Sequence, residues 1–138
     1  MFLLGFVYAS MLEWAVHKYL FHEVGKKKGS VFSFHLRQHH INCLKNGNVD
    51  RNFSSRELPG ILFLFLTHLP IYFLSPMFYS ALLSYGVLFV IVHNTAHIWP
   101  KMGRILFPWH WDHHMKYQNH NFNVVVPIAD YLFRTRKK

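Results

Sequence analysis

Ten of the twelve histidines in this chain of 138 residues fall into four short blocks. The blocks contain His17 and His22; His35, His39 and His40; His93 and His97; and His110, His113 and His114. Several pairs are three or four residues apart, a spacing that places two side chains on one face of a helix. Neutral imidazole is a ligand of first-row transition metals, and roughly four to six ligands fill the shell of one such ion. Ten imidazoles therefore predict a centre that holds two metal ions.

A metal-free core of histidines is the alternative to this interpretation. A single histidine on an apolar helix more often has ordinary hydrogen-bond partners than a metal. Clustered imidazoles buried without metal would leave many polar atoms unsatisfied, or would repel one another if protonated. The grouping therefore favours metal binding. For the two histidines outside the blocks, we expect His68 to be a buried, hydrogen-bonded residue and His120 to lie at the surface or to support a ligand.

The composition indicates a membrane protein built as one domain over residues 1–138, since 51% of the residues are hydrophobic and 18% are aromatic. Three apolar runs, Met1 to Leu12, Leu58 to Phe73 and Met77 to Val92, contain no charged residue. A run of 16 residues rises only about 24 Å as a helix, against roughly 30 Å of bilayer hydrocarbon. We therefore expect these helices to extend into their flanks, to dip partway or to thin the bilayer.

The second and third apolar runs are separated by Leu74-Ser75-Pro76, which predicts a helical hairpin because proline stops a helix. An even number of crossings then puts all four histidine blocks on one side of the membrane. The basic residues on that side mark it as cytoplasmic: Lys26, Lys27, Lys28, Lys101, Arg104, Arg134, Arg136, Lys137 and Lys138. The predicted fold is an all-α integral membrane bundle with a cytosolic, histidine-rich helical cap.

The rest of the pattern predicts helices joined by turns that contain Gly, Asn or Pro. They run from the N-terminus through His22, across His35 to His40, from Pro59 through the hairpin to Trp99, and from Trp109 to Tyr117. The segment Phe122 to Val126 is expected to be extended but too short for a sheet.

The net charge of +9 favours anionic lipid over nucleic acid as a partner. The basic residues are spread among apolar helices and form no groove-reading helix or stacking platform. The lone Cys43 excludes an internal disulfide and fits a reducing compartment.

Three motifs resemble the fatty acid hydroxylase and sterol desaturase superfamily: EWAVHKYLFH at Glu13 to His22, HWDHH at His110 to His114, and NFNV at Asn121 to Val124, with Pro127, Asp130, Leu132, Phe133 and Thr135 after them. The resemblance covers most of the chain. It implies a membrane oxygenase with two iron ions on the cytosolic side, in the endoplasmic reticulum if the source is a eukaryote. It also implies that the ten histidines of the four blocks are the metal ligands.

Two features depart from this family. Three residues separate His35 from His39, where two are common, although four-residue spacing is favourable on a helix. Members usually have more membrane helix before the first block, so we expect a chain that is minimal, truncated or dependent on self-association.

The resemblance implies hydroxylation of a fatty acyl, sphingolipid or sterol-like substrate with O2 and electrons from a separate protein. We expect Phe63, Phe65, Phe73 and Phe89 to wall the lipid site, and Glu13 and Asp112 to orient ligand rings.

Four alternatives stay open. The same centre could desaturate a lipid, and imidazole also binds zinc, which a purified or crystallised form could carry in place of iron. A non-enzymatic membrane protein that binds or transports metal would use similar clusters. A membrane cytochrome would ligate haem through a pair such as His68 and His93.

Overall fold

The computed structural model describes residues 1–51 and 54–138, and these residues form helices and no strands. The all-α prediction is therefore confirmed for this part of the chain. The α-helices are α1 (Phe2–Ala15), α2 (Ile41–Lys45), α3 (Ser54–Thr67), α4 (Leu69–Leu74), α5 (Pro76–Ile98), α6 (Pro100–Leu106), α7 (Pro108–Met115) and α8 (Ile128–Leu132). Two π-helical segments, Val16–Glu23 and His35–His40, and a 3-10 turn, Val24–Lys26, complete the helical structure.

Helices α1 and α5 form the centre of the bundle and approach each other closely. A Cβ atom on Gly5 would lie 2.7 Å from the Phe78 carbonyl oxygen and 2.9 Å from Ala81 Cβ. Small residues at such a crossing let two backbones approach closely. Beside this contact, Ala9 and Leu82 belong to a buried apolar cluster. The packing of α1 on α5 therefore fixes the position of the first histidine block, which follows α1, relative to the third block, which lies on α5.

The predicted hairpin is confirmed at its turn. Ser75 is extended (φ −155°, ψ 91°), its side chain accepts a hydrogen bond from Phe78 N at 3.3 Å, and α5 begins at Pro76. The outgoing arm is broken a second time at His68, between α3 and α4. The start of this arm differs from the prediction, since α3 begins at Ser54 and contains Pro59. A proline inside a helix removes one backbone hydrogen bond without necessarily ending the helix.

The outer surface of the bundle is apolar and its interior is rich in histidine. Leu3, Phe63, Phe73 and Leu74 are between 65% and 86% exposed. This distribution is the reverse of that in a soluble domain and suits a lipid environment. Among the described helices, α5 is the one long and apolar enough to cross a membrane.

The chain after α5 differs from the prediction in two places. Helix α6 was not expected; it packs on α5 at Gly103, where an added Cβ atom would lie 2.7 Å from Ala96 Cα. The predicted helix from Trp109 to Tyr117 is α7, which ends at Met115. The segment that follows is an irregular loop held by Asp130, whose carboxylate accepts hydrogen bonds from Phe122 N (2.9 Å) and Asn123 N (2.8 Å).

Candidate metal centre

All ten histidines of the four blocks are buried, none being more than 4% exposed. The structure brings their rings together in two neighbouring groups, within each of which the ligand atoms lie within 4.8 Å of one another. The first group contains His17, His22, His35, His40 and His113, and the second contains His39, His93, His97 and His114. The tenth ring adjoins the second group, since His110 Nε2 is 3.0 Å from His97 Nε2.

The π-helical segments explain how the first group is built. Their backbone hydrogen bonds join residues five apart, so each turn is wider than an α-helical turn. His17 and His22 are five residues apart, as are His35 and His40, and their ring centroids lie 5.1 Å and 4.8 Å apart. In an α-helix, side chains five apart would diverge by about 140°. The spacing of five was the available signal for this geometry, and sequence reasoning based on three or four missed it.

The sequence blocks do not coincide with the spatial groups. His39 belongs to the second group, whereas His35 and His40 belong to the first. His35 and His39, four residues apart, therefore lie in different groups although their ring centroids are only 5.3 Å apart. His113 and His114 divide in the same way. Adjacent residues on a helix point about 100° apart, so each histidine pair can serve both groups at once.

Backbone carbonyl groups orient two rings of the first group. His17 Nδ1 donates to the Phe122 carbonyl at 2.5 Å, and His113 Nδ1 donates to the His120 carbonyl at 2.6 Å. A carbonyl oxygen only accepts, so the hydrogen of each neutral ring lies on Nδ1 and the lone pair on Nε2. Both carbonyls belong to the irregular loop after α7.

The second group is oriented from the loop after α2. His39 Nδ1 donates to Asp50 Oδ2 at 2.7 Å, and His97 Nδ1 donates to the Asn48 carbonyl at 2.9 Å. Cys43 is buried, with Sγ 3.5 Å from His97 Nδ1. Burial raises the pKa of the Cys43 thiol, which therefore stays protonated. Metal-binding histidines typically donate their other ring N–H to such carboxylates and carbonyls.

The Nε2 atoms converge at the separations of ligands around one ion. His17 Nε2 lies 2.9 Å from His35 Nε2, and His40 Nε2 lies 3.2 Å from His113 Nε2. Two nitrogens about 2.1 Å from a metal and at right angles to each other would be about 3 Å apart. His22 Nε2 and both ring nitrogens of His114 are buried without a hydrogen-bond partner among the described residues. This donor set fits a transition-metal ion in each group.

Burial also keeps the rings in the form that binds metal. It lowers the pKa of His113 to about 4. Burial lowers the pKa of His22 and of His40 as well, and the neighbouring His113 lowers both further. Because these rings are neutral at pH 7, few protons need to leave when a metal binds.

The two carboxylates expected to orient ligand rings make other contacts. Glu13 accepts hydrogen bonds from Tyr85 Oη (2.5 Å), Asn123 Nδ2 (2.9 Å) and Val124 N (2.8 Å), which join α1 to α5 and the loop after α7. Asp112 forms an ion pair with Lys116 at 2.8 Å. The rings are oriented instead by the Asp50 carboxylate and by backbone carbonyls. Backbone carbonyls cannot be recognised from a sequence, because every residue has one.

The two remaining histidines make contacts of the predicted kind, but His68 is less buried than expected. His68 is partly buried; its Nδ1 donates to the Leu64 carbonyl at 2.7 Å, and its Nε2 lies 3.0 Å from Tyr8 Oη. His120 supports a ligand through its backbone carbonyl, as described for His113.

An apolar cavity of about 250 Å³ adjoins the two groups between α1, α3 and α5. His17, His35 and His93 form its wall on the side of the histidines. The predicted aromatic walls Phe63, Phe65 and Phe89 line it, and Phe63 is exposed on the outer surface. Phe73 is 79% exposed and lies outside the lining, so its prediction as a wall is wrong. It is two residues from the hairpin turn, too far along the arm to reach the cavity.

Comparison with known protein families agrees with this architecture. The family model for fatty acid hydroxylase matches residues 2–135. The chain belongs to the fatty acid hydroxylase family. This family is part of the fatty acid hydroxylase and sterol desaturase superfamily, so the resemblance found in the sequence is confirmed. Searches of curated proteins and of solved structures gave no match. The family and the buried histidine clusters together indicate a metal-dependent lipid hydroxylase, an oxidoreductase associated with membranes.

Proposed function

We propose that the chain is a membrane-bound di-iron oxygenase that hydroxylates a lipid with O2 and electrons from a separate carrier protein. The observation that carries this proposal is the position of two groups of buried imidazoles beside one apolar cavity. The ten histidines of the four blocks would be the ligands, divided between the ions as the two groups are. A pair of bound iron ions would supply the oxidising power that an unactivated C–H bond requires.

The protein's own contribution is binding, orientation and the exclusion of water. The cavity lining is almost entirely apolar, which suits an acyl chain and disfavours bulk water. His17, His35 and His93 line the cavity and would hold metal ions at its wall, so a bound chain would present a carbon to them. The exposed Gly60 and Phe63 belong to the lining, which supports access from the bilayer beside α3.

We further propose that the centre faces the cytoplasm. His93 and His97 lie near the end of α5 opposite Ser75, so the hairpin would return the chain to the side from which it left. Lys26, Lys101 and Arg104 are exposed on that side, in keeping with the excess of positive charge on cytoplasmic segments. An acidic electron carrier could approach this basic face.

Lipid profiling combined with metal analysis tests the proposal. Cells that express the chain should accumulate a lipid with one added oxygen atom, and the purified protein should carry iron. His113→Ala should abolish the product and lower the metal content, whereas Glu23→Ala, at an exposed carboxylate paired with Lys26, should do neither. Unchanged turnover by His113→Ala would reject the site. A product that has lost two hydrogens would identify a desaturase on the same centre instead.

A further inference from the structure

Glu57 places a buried carboxylate in the wall of the apolar cavity. Its side chain is on α3 and only 5% of the residue is exposed. Neither of its carboxylate oxygens has a hydrogen-bond partner among the residues that the structure describes. An unsatisfied polar group in an apolar site is costly, more so when it carries charge. A bound molecule is the natural source of the missing partner.

Apart from the histidines of the two groups, the other polar side chains in the cavity lining already have hydrogen-bond partners. Glu13 and Tyr85 bind each other, with Tyr85 Oη 2.5 Å from Glu13 Oε2. His68 is bound by the Leu64 carbonyl and by Tyr8. Of the two carboxylates in the lining, Glu57 is therefore the one whose oxygens are still available to form hydrogen bonds with a ligand.

The two oxygens of Glu57 have different surroundings. Oε1 lies 3.5 Å from His35 Nδ1, which also has no hydrogen-bond partner among the described residues. If His35 binds metal through Nε2, its Nδ1 carries a hydrogen, and a small shift lets it donate to Oε1. Such a bond would still leave Oε2 unpaired beside the metal centre.

From this arrangement we infer that Glu57 Oε2 accepts a hydrogen bond from a hydroxyl group of the lipid. The substrate class is then a long-chain lipid that carries a hydroxyl group near the carbon to be oxidised. This inference rests on the proposed function for its metal centre and cavity, but it assigns the substrate's polar group and the residue that recognises it.

The shape of the cavity agrees with a ligand that is polar at one end. Glu57, Gly60, Ile61, Leu64 and His68 all line it and follow one face of the α3 arm. His68 is eleven positions after Glu57, a helical rise of about 16 Å. A hydroxyl group held at Glu57 would leave the hydrocarbon chain to extend along this apolar face, away from the histidines.

Binding of two probes that differ only at the hydroxyl group tests the inference. The probes are hexadecan-1-ol and 1-methoxyhexadecane, radiolabelled and measured as Kd on the metal-loaded full chain in detergent. The wild-type protein should bind the alcohol about tenfold more tightly than the ether, because the ether would leave a buried polar oxygen without a hydrogen-bond donor. Glu57→Leu should bind the two probes about equally. Glu57→Gln keeps a carbonyl oxygen and should keep part of the preference. Glu23→Gln, at an exposed carboxylate, should match the wild type.

Three results would overturn the inference. The first is equal binding of both probes by the wild type, and the second is a preference for the alcohol that persists in Glu57→Leu. In the third, the Glu57 variants lose metal and bind both probes equally weakly, which would make Glu57 a positioning residue for His35. Because this readout is binding, it is independent of turnover. A preference for the alcohol that depends on Glu57, in a protein whose His113→Ala variant makes as much oxidised lipid as the wild type, would overturn the oxygenase proposal alone.

Discussion

The two histidine groups are built from similar rings but are held by different parts of the chain. In the first group, His17 and His113 donate to the carbonyls of Phe122 and His120, in the loop after α7. In the second group, His39 donates to the carboxylate of Asp50, and the partner of His97 is the Asn48 carbonyl, both in the loop after α2.

Because the supports differ, the two proposed metal ions should respond to different mutations, although several of their proposed ligands are adjacent in sequence. A carbonyl can be displaced only by moving backbone, whereas the Asp50 carboxylate can be removed by one substitution. The second group should therefore be easier to weaken selectively.

Removing one ring from each group should have the largest effect. His40 and His114 are suitable because their centroids are 4.3 Å apart and they belong to different groups. His40→Ala and His114→Ala should each reduce turnover to background and lower the metal content from two ions per chain toward one. Mass spectrometry of metals on purified protein measures this loss. Wild-type metal content in both variants would contradict the assignment of these rings as ligands.

Substituting Asp50 should weaken the second group selectively. Asp50→Asn removes the negative charge that orients His39 and should lower metal affinity about 10–100-fold. Metal titration against a chelator gives the affinity. The substitution should add little to His114→Ala and should have its full effect in His40→Ala, because only the latter retains the second group's rings. Asp112→Asn, at a carboxylate paired with Lys116, is the matched control and should leave the affinity unchanged.

Substituting Asp130 should act on the first group through the backbone. Asp130 is fully buried and holds Phe122 N, Asn123 N and the Thr135 hydroxyl. Asp130→Asn directs an amide N–H toward at least one of these donors and should lower the free energy of unfolding by about 1–3 kcal/mol. Denaturant unfolding measures the change. This variant should lose metal first from the group that contains His17. Equal loss from both groups would show that the loop after α7 and the loop after α2 do not support the groups independently.

Acidification should have the smallest effect per residue involved. The folded-state pKa of His113 is lowered to about 4 from the ordinary value of 6.5, so below pH 6.5 the unfolded chain binds a proton that the folded chain does not. This contribution to stability is present above pH 6.5 and is lost as the pH falls toward 4. Between pH 8 and 6 the metal-free protein should lose roughly 1 kcal/mol through His113 alone. Unfolding of the metal-free chain at both values checks this, and stability that rises on acidification would contradict it.

The sequence predicted which histidines meet, but not how they divide. Residue type and clustering were enough for the ten rings and for the hairpin turn at Ser75. The pairing of His35 with His40 depends on a local π-helix, which a search for three- and four-residue spacing cannot detect.

The hydrogen bonds that orient the imidazole rings could not be predicted from the sequence, for a different reason. The carbonyls of Phe122 and His120 are backbone groups that every residue has, and only tertiary packing selects them. Helix α6 was missed because Pro100 was interpreted only as the end of α5, although proline also favours the first turn of a helix.

We expect two metal ions, one in each group of imidazoles. Anomalous diffraction at the iron absorption edge, from crystals of the full chain loaded with iron, would locate them. Two peaks are expected, one among the Nε2 atoms of His17, His35, His40 and His113, and the other among the rings of His39, His93, His97 and His114. A single peak, or peaks outside these rings, would show that the two groups do not each bind an ion.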